Sequence, residues 1–209
     1  MARPRKEEAI DIPARAVTET VRLLAHRDVG SITMADVAAA VGCRAPALYN
    51  HFRNKDALLR AVHDAGFEKL YAEKLAVAAN TGKDAIARLR EGGMAYLRFA
   101  LENPALYQLM FNAPPVAGLP DNPFATDIGL RLLGFLRASI AGCQALGYLP
   151  GREPDVVAFT LWSTVHGAAS LMIGDRVPAG IGDRTALATA TVDAVMDMIG
   201  ATRPPAPPP

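Results

Sequence analysis

An all-α fold of about nine helices is what three features of this 209-residue chain predict. No segment alternates apolar and polar residues with the period of two that a strand requires. Apolar residues instead recur three and four apart through most of the chain. Helix-starting residues (Thr, Asp, Asn, an early Pro) and helix-stopping glycines punctuate those periodic stretches. With 51% hydrophobic residues, the chain can bury one large core or two smaller ones.

Residues 1–11 (MARPRKEEAID) are charged, hold a proline and lack an apolar period, which marks a flexible basic arm. Val17, Val21, Leu24 and Ala25 give residues 12–27 one apolar face, ended by Asp28-Val29-Gly30. Residues 31–59 (SITMADVAAAVGCRAPALYNHFRNKDALL) are the most informative stretch. Thr33 sits at an N-cap, and Asp36 three residues on completes a capping box. Met34, Val37, Ala38 and Val41 form one apolar stripe, and Gly42 stops the helix by taking a left-handed exit. Cys43, Arg44, Ala45 and Pro46 open the next helix, where a proline in the first turn costs no hydrogen bond. Leu48 and Phe52, four apart, point inward, while Arg44, Ala45, Ala47, Asn50, His51 and Arg53 are left for the other faces. Asn54 then caps a third helix. Two short helices about a glycine turn, the second with a polar outer face, make a helix-turn-helix.

Residues 54–80 read as one long helix with Leu58, Leu59, Val62, Leu70 and Leu75 on its apolar side, broken at Thr81-Gly82. Residues 83–102 carry Ile86, Leu89, Met94, Leu97 and Leu101, with a kink expected at Gly92-Gly93. Asn103-Pro104 starts a short helix through Phe111, residues 112–122 form a proline-containing loop, and Asn122-Pro123 opens a helix to about Leu146. After a second loop, residues 155–174 and 183–199 form the last two helices, and residues 203–209, with five prolines in seven, an extended or disordered tail. The chain thus divides into a helix-turn-helix unit over 12–53, a second helical unit over 54–202 and a proline-rich tail over 203–209.

Net charge is only +1, but residues 1–60 carry ten Lys and Arg against seven Asp and Glu, leaving −2 for the remainder. Two cysteines without a CxxC pair imply neither a disulfide framework nor a metal site, and a cytoplasmic location is the simplest expectation. Residues 156–174 contain no Lys, Arg, Asp or Glu, which approaches the length of a membrane span. Thr160, Ser163, Thr164, His166 and Ser170 are too many polar groups for lipid, so this helix is expected in a core or an interface.

The segment ITMADVAAAVG followed by ALYNHFRNKDALL resembles the DNA-binding signature of the TetR family of bacterial transcriptional regulators. Thr33, Ala38, Gly42, Leu48, Tyr49, His51, Phe52, Lys55 and Leu58 stand at positions typical of it, whereas Cys43 replaces a more usual Val or Ser. The resemblance makes the unit over 12–53 a DNA-binding domain and that over 54–202 a ligand-binding and dimerisation domain. It implies a homodimer on double-stranded, pseudo-palindromic operator DNA, released by a small apolar or amphipathic effector, with no cofactor and no membrane. Arg44 can reach guanine O6 and N7, Ala45, Pro46 and Ala47 can press a thymine methyl, and Asn50 lies on the same helix. Thr33, Tyr49, His51 and Lys55 suit phosphates.

Further along, LWSTVHGAAS places Trp162 and His166 on adjacent turns of one helix face and resembles the Trp-His-Gly-bearing C-terminal domain of some TetR-type regulators. In one reading His166 hydrogen-bonds an effector beneath Trp162, near Tyr96, Phe99, Tyr107, Met110 and Phe111. In the other it is a core histidine satisfied by a carbonyl and a hydroxyl. Ser163 and His166 are also close enough on the helix for a hydrolase pair, but no oxyanion loop or GxSxG turn accompanies them. A helical adaptor that binds no DNA is the third possibility, and it would leave the surface of residues 44–55 without purpose.

Overall fold

The computed structural model describes residues 11–80, 82–111, 122 and 126–203. Among them are nine α-helices, a single 3-10 turn and no strand: α1 Ile12–Leu24, α2 Met34–Val41, α3 Ala45–Tyr49, α4 Lys55–Ala79, α5 Ala85–Glu102, α6 Pro104–Phe111, α7 Asp127–Ala145, α8 Pro154–Ile173 and α9 Arg184–Gly200. The all-α prediction therefore holds. The expected arm before Asp11, the loop at 112–121 and the tail after Arg203 lie outside the described residues. The chain divides into two compact units: the first draws on residues 11–66 and 105–111, the second on 67–104, 122 and 126–203. The division falls inside α4, after Gly66.

In the first unit α1, α2 and α3 pack on one another. Asp11 starts α1 by accepting the Ala14 amide at 3.1 Å, with Pro13 in the first turn. The buried face of α1 is Ala16, Thr20 and Leu24 rather than Val17, Val21 and Ala25. Thr20 can take an interior position because its hydroxyl donates to the Ala16 carbonyl at 2.7 Å, so burial leaves it no unmet hydrogen bond. Met34, Val37, Ala38 and Val41 are all buried, as their spacing requires. Gly42 exits α2 at φ 80°, where a Cβ would crowd the following carbonyl. Leu48 and Phe52 bury the inner side of α3, a helix of only five residues. Asn54 caps α4 by accepting the Ala57 amide at 2.9 Å. In α6, Leu106, Tyr107, Leu109 and Met110 are buried. A Cβ added to Gly66 would stand 2.6 Å from Met110 Sδ, so any larger residue there would push the Met110 side chain of α6 aside.

Two polar clamps fix the helix-turn-helix. The Thr33 hydroxyl receives the Asp36 amide at 3.2 Å while the Asp36 carboxylate receives the Thr33 amide at 2.8 Å, a complete capping box. The same carboxylate also accepts the Thr33 hydroxyl at 2.7 Å and Arg27 Nη2 at 3.1 Å. Those bonds, the Thr33 hydroxyl foremost, hold the Asp36 pKa down at about 2. Lys55, at the start of α4, donates to the carbonyls of Val29 and Gly30.

In the second unit α5 packs against α7, α8 and α9. It runs unbroken through Gly92-Gly93, where the sequence suggests a kink. Gly93 also serves packing, since a Cβ there would lie 3.3 Å from Val192 of α9. Arg90 Nε and Asp193 Oδ1 join the same two helices at 2.6 Å. Ala85, Leu89, Cys143, Leu149 and Ile199 form one end of the core, and burial pushes the Cys143 thiol up to about 11. Two expectations fail. Leu75 is exposed, and α7 begins at Asp127, capped by the Thr126 hydroxyl, rather than at Asn122-Pro123. The Thr126 cap meets an amide that nothing else in the helix can satisfy.

The depressed Asp36 pKa has a direction of its own. The carboxylate stabilises the fold above its ordinary value near 3.8, and that contribution is lost as pH falls toward 2. Asp36→Ala should therefore lower the urea midpoint at pH 7, and its deficit against the wild type should shrink steadily between pH 4 and pH 2.

Candidate functional site

The helix-turn-helix presents an outer face with its polar groups unspent. Arg44 is exposed at the N-cap of α3 with extended backbone and no capping bond of its own. The side chains of Arg44, Tyr49, Asn50 and His51 make no hydrogen bond or ion pair among the described residues, and Tyr49 is 50% exposed. Pro46 is exposed beside them, with Ala45 and Ala47 part-buried. Leu48 and Phe52 anchor this face from beneath. An exposed arginine at the head of a short, core-anchored helix can enter a groove of DNA without breaking any internal contact.

Thr33 and Lys55 differ from that group. The Thr33 hydroxyl is committed to the Asp36 carboxylate and amide. Two carbonyls hold the Lys55 ammonium, leaving one of its three N–H groups for a phosphate. Both residues shape the motif as well as standing at its edge.

The residues expected around an effector fall in both units. Tyr107, Met110 and Phe111 lie in α6, with the Tyr107 and Phe111 rings 4.8 Å apart. Tyr96, Phe99, Trp162 and His166 belong to the second unit, and three of them meet. The Tyr96 hydroxyl accepts the Trp162 indole N–H at 3.3 Å and lies 3.2 Å from His166 Nδ1. An indole N–H can only donate, so the hydroxyl proton is available to Nδ1. Trp162 and His166 stack with centroids 4.9 Å apart. Burial lowers the His166 pKa and favours the neutral ring. Phe99 is buried beside this group, three residues along α5 from Tyr96. His166 Nδ1 thus lies against a phenol, and no hydrogen bond joins it to Ser163 among the described residues.

Sequence reading missed Lys74. Its ammonium turns inward to the Gly92 carbonyl of α5 and lies 5.4 Å from the centre of the Tyr96 ring. Loss of water there drops its pKa from 10.5 to about 7. The signal was present in the sequence: Lys74 stands four residues after Leu70, on the buried side of α4.

A core-anchored helix-turn-helix followed by an all-helical second unit is the layout of a DNA-binding transcriptional regulator. Residues 17–62 match the family model described as bacterial regulatory proteins, tetR family, and residues 89–195 that described as Tetracyclin repressor-like, C-terminal domain. The chain belongs to the TetR family of transcriptional regulators. It is 27% identical over 167 residues, 80% of this chain and 71% of the relative, to an uncharacterized HTH-type transcriptional regulator of Mycobacterium tuberculosis. A Rhodococcus protein of unknown function shares its fold at a TM-score of 0.77 and 22% identity, over 94% of this chain and 99% of the other. A TetR/AcrR-family regulator from Thermobifida fusca does so at 0.70 and 18%, over 90% and 97%.

Lys74 should cost the fold stability. Below pH 7 the ammonium is buried charged, and between pH 7 and 10.5 the unfolded chain holds a proton that the folded one has released, so stability rises with pH across that window. Lys74→Met should melt higher than the wild type at pH 6, and the difference should narrow toward pH 10.

Proposed function

We propose that this regulator is a homodimeric repressor that binds a pseudo-palindromic operator in the cytoplasm and lets go when a small amphipathic molecule enters the second unit. The observation that carries the DNA half is the outer face of α3, whose polar side chains have no internal partner while Leu48 and Phe52 lock the helix from below. Base contacts fall to Arg44, Ala45, Pro46, Ala47 and Asn50, and phosphate contacts to Tyr49, His51, Thr33 and the last N–H of Lys55.

Dimerisation is supported by the outer surface of α8 and α9. Val156, Phe159 and Met198 are each 64% exposed and Leu171 50%, far more apolar surface than a helix turned to water retains at no cost. Gly167 fits a close approach by a second chain, because beyond its own helix backbone a Cβ there would meet open space. By length and composition α8 could also cross a membrane. Its packing against α5, α7 and α9 and its place in a TetR-type domain favour the interface. Release is supported by α4, which contributes residues to both units as one continuous helix. A ligand can act through it only by binding two arrangements of the dimer unequally, and operator must then weaken ligand binding by the same factor, typically about 5–150-fold.

Binding to the promoter region beside the protein's own gene, followed by fluorescence anisotropy, tests the reading, and affinity no better than for random DNA would reject it. Arg44→Ala should cost roughly 1–3 kcal/mol at one base pair and relax the preference there. Lys55→Met should weaken all sequences alike, reduce the log–log salt slope by about 0.9 and, unlike Arg44→Ala, lower the melting temperature. Leu171→Arg should convert the dimer to a folded monomer in sedimentation while circular dichroism stays helical. A wild type that sediments as a monomer at micromolar concentration would remove the dimer from the proposal.

A further inference from the structure

The second unit holds an inward-turned cation on which the neighbouring Glu73 acts only at longer range, with no ion pair within 4 Å among the described residues. Lys74 Nζ has three N–H groups and spends one on the Gly92 carbonyl. Among the described residues no carboxylate lies within 4 Å of it: the adjacent Glu73 is directed to Arg98, 3.9 Å from its Nη2. The Tyr96 ring covers the ammonium from one side, and the hydroxyl of that ring meets Trp162 and His166 of α8. A further turn along α8, four residues beyond His166, Ser170 carries a buried hydroxyl oxygen with no hydrogen-bond partner. Phe99 supplies apolar surface one turn beyond Tyr96. A part-buried ammonium with donors to spare beside an aromatic wall is costly to keep, and a structure that keeps it invites a group able to satisfy it.

We infer that this cluster takes an amphipathic carboxylic acid, its carboxylate at the Lys74 ammonium and its hydrocarbon part against Tyr96, Phe99 and Trp162. With Glu73 set against Arg98, one positive charge is left uncompensated, which favours a monocarboxylate over a phosphate ester. A neutral ligand leaves the ammonium as it is, and an amine adds a second positive charge. The inference rests on the reading that the second unit receives a small molecule, and it specifies the chemistry of that molecule.

The test uses the full-length protein and straight-chain probes of six to twelve carbons: carboxylates, the alcohols of equal length and the amines of equal length, each below its micelle concentration. Trp162, the one tryptophan of the chain, reports binding through its fluorescence. At the best-fitting length the carboxylate should bind at least about tenfold more tightly than its alcohol, and the amine more weakly than either. Lys74→Arg should keep most of that preference. Lys74→Met, which keeps the length of the chain and removes the charge, should bring acid and alcohol within about threefold while still binding the alcohol.

No preference for the acid at any length, a preference for the amine, or an undiminished preference in Lys74→Met would each overturn the inference. The wild-type comparison decides the matter without either variant. Operator binding is read separately. An acid that binds through Lys74 and leaves operator affinity unchanged sustains the carboxylate site and removes its role in release. Loss of operator binding without any preference for the acid does the reverse.

Discussion

The position of α3 depends on a small polar knot at the foot of the helix-turn-helix. Asp36 gathers the Thr33 amide, the Thr33 hydroxyl and the Arg27 guanidinium on one carboxylate, and Lys55 ties the carbonyls of Val29 and Gly30 to the start of α4. Hydrophobic burial alone would not settle the angle between two helices as short as α2 and α3, because a stripe of four apolar residues tolerates some rolling. Charge-assisted hydrogen bonds have narrow geometry, and these fix the start of α2 and the start of α4, the elements on either side of α3. With Gly42 bending the chain and Leu48 filling the space beneath, one orientation of the recognition face is left.

Much of this was legible in the residues. The capping box, the αL glycine, the buried stripe of α2 and the anchors of α3 all follow from local spacing, because local interactions decide them. Where reading failed, a tertiary term decided. Thr20 replaces Val17 and Val21 on the inner face of α1 because an i−4 carbonyl satisfies its hydroxyl, an option that a hydrophobicity pattern does not register. The packing of Gly93 on Val192 could not be read, because the two are almost a hundred residues apart in the chain. Leu75 continues an apolar count on a side of α4 that faces away from the core. Among the site residues, Tyr96, Trp162 and His166 were brought together by chemistry and periodicity, whereas Lys74 was passed over because a lysine is ordinarily read as surface.

The two units handle polar groups in opposite ways. In the first, the buried hydroxyl of Thr20 and the bridging charges are satisfied within the chain, so the polar groups stiffen it. In the second, the Lys74 ammonium, the Ser170 hydroxyl and one oxygen of Glu73 are buried with less than their full complement of hydrogen bonds. A protein interior that leaves such capacity open accepts a loss of stability, and such losses gather where a binding partner is to be received. The apolar surface left on α8 and α9 belongs to the same pattern, since it too lacks a partner within the chain.

The outer face of α3 carries a consequence for how proteins of this design diverge. Arg44, Tyr49, Asn50 and His51 hold nothing else in place, while every residue that does hold the motif points the other way or sits in the knot. Exchanging one of the four therefore leaves folding almost untouched. A duplicated gene could drift at those positions through many substitutions, each neutral for the fold, until its product read a different stretch of genome with the same scaffold. Durability and address are carried by separate sets of letters, which lets one architecture serve many promoters.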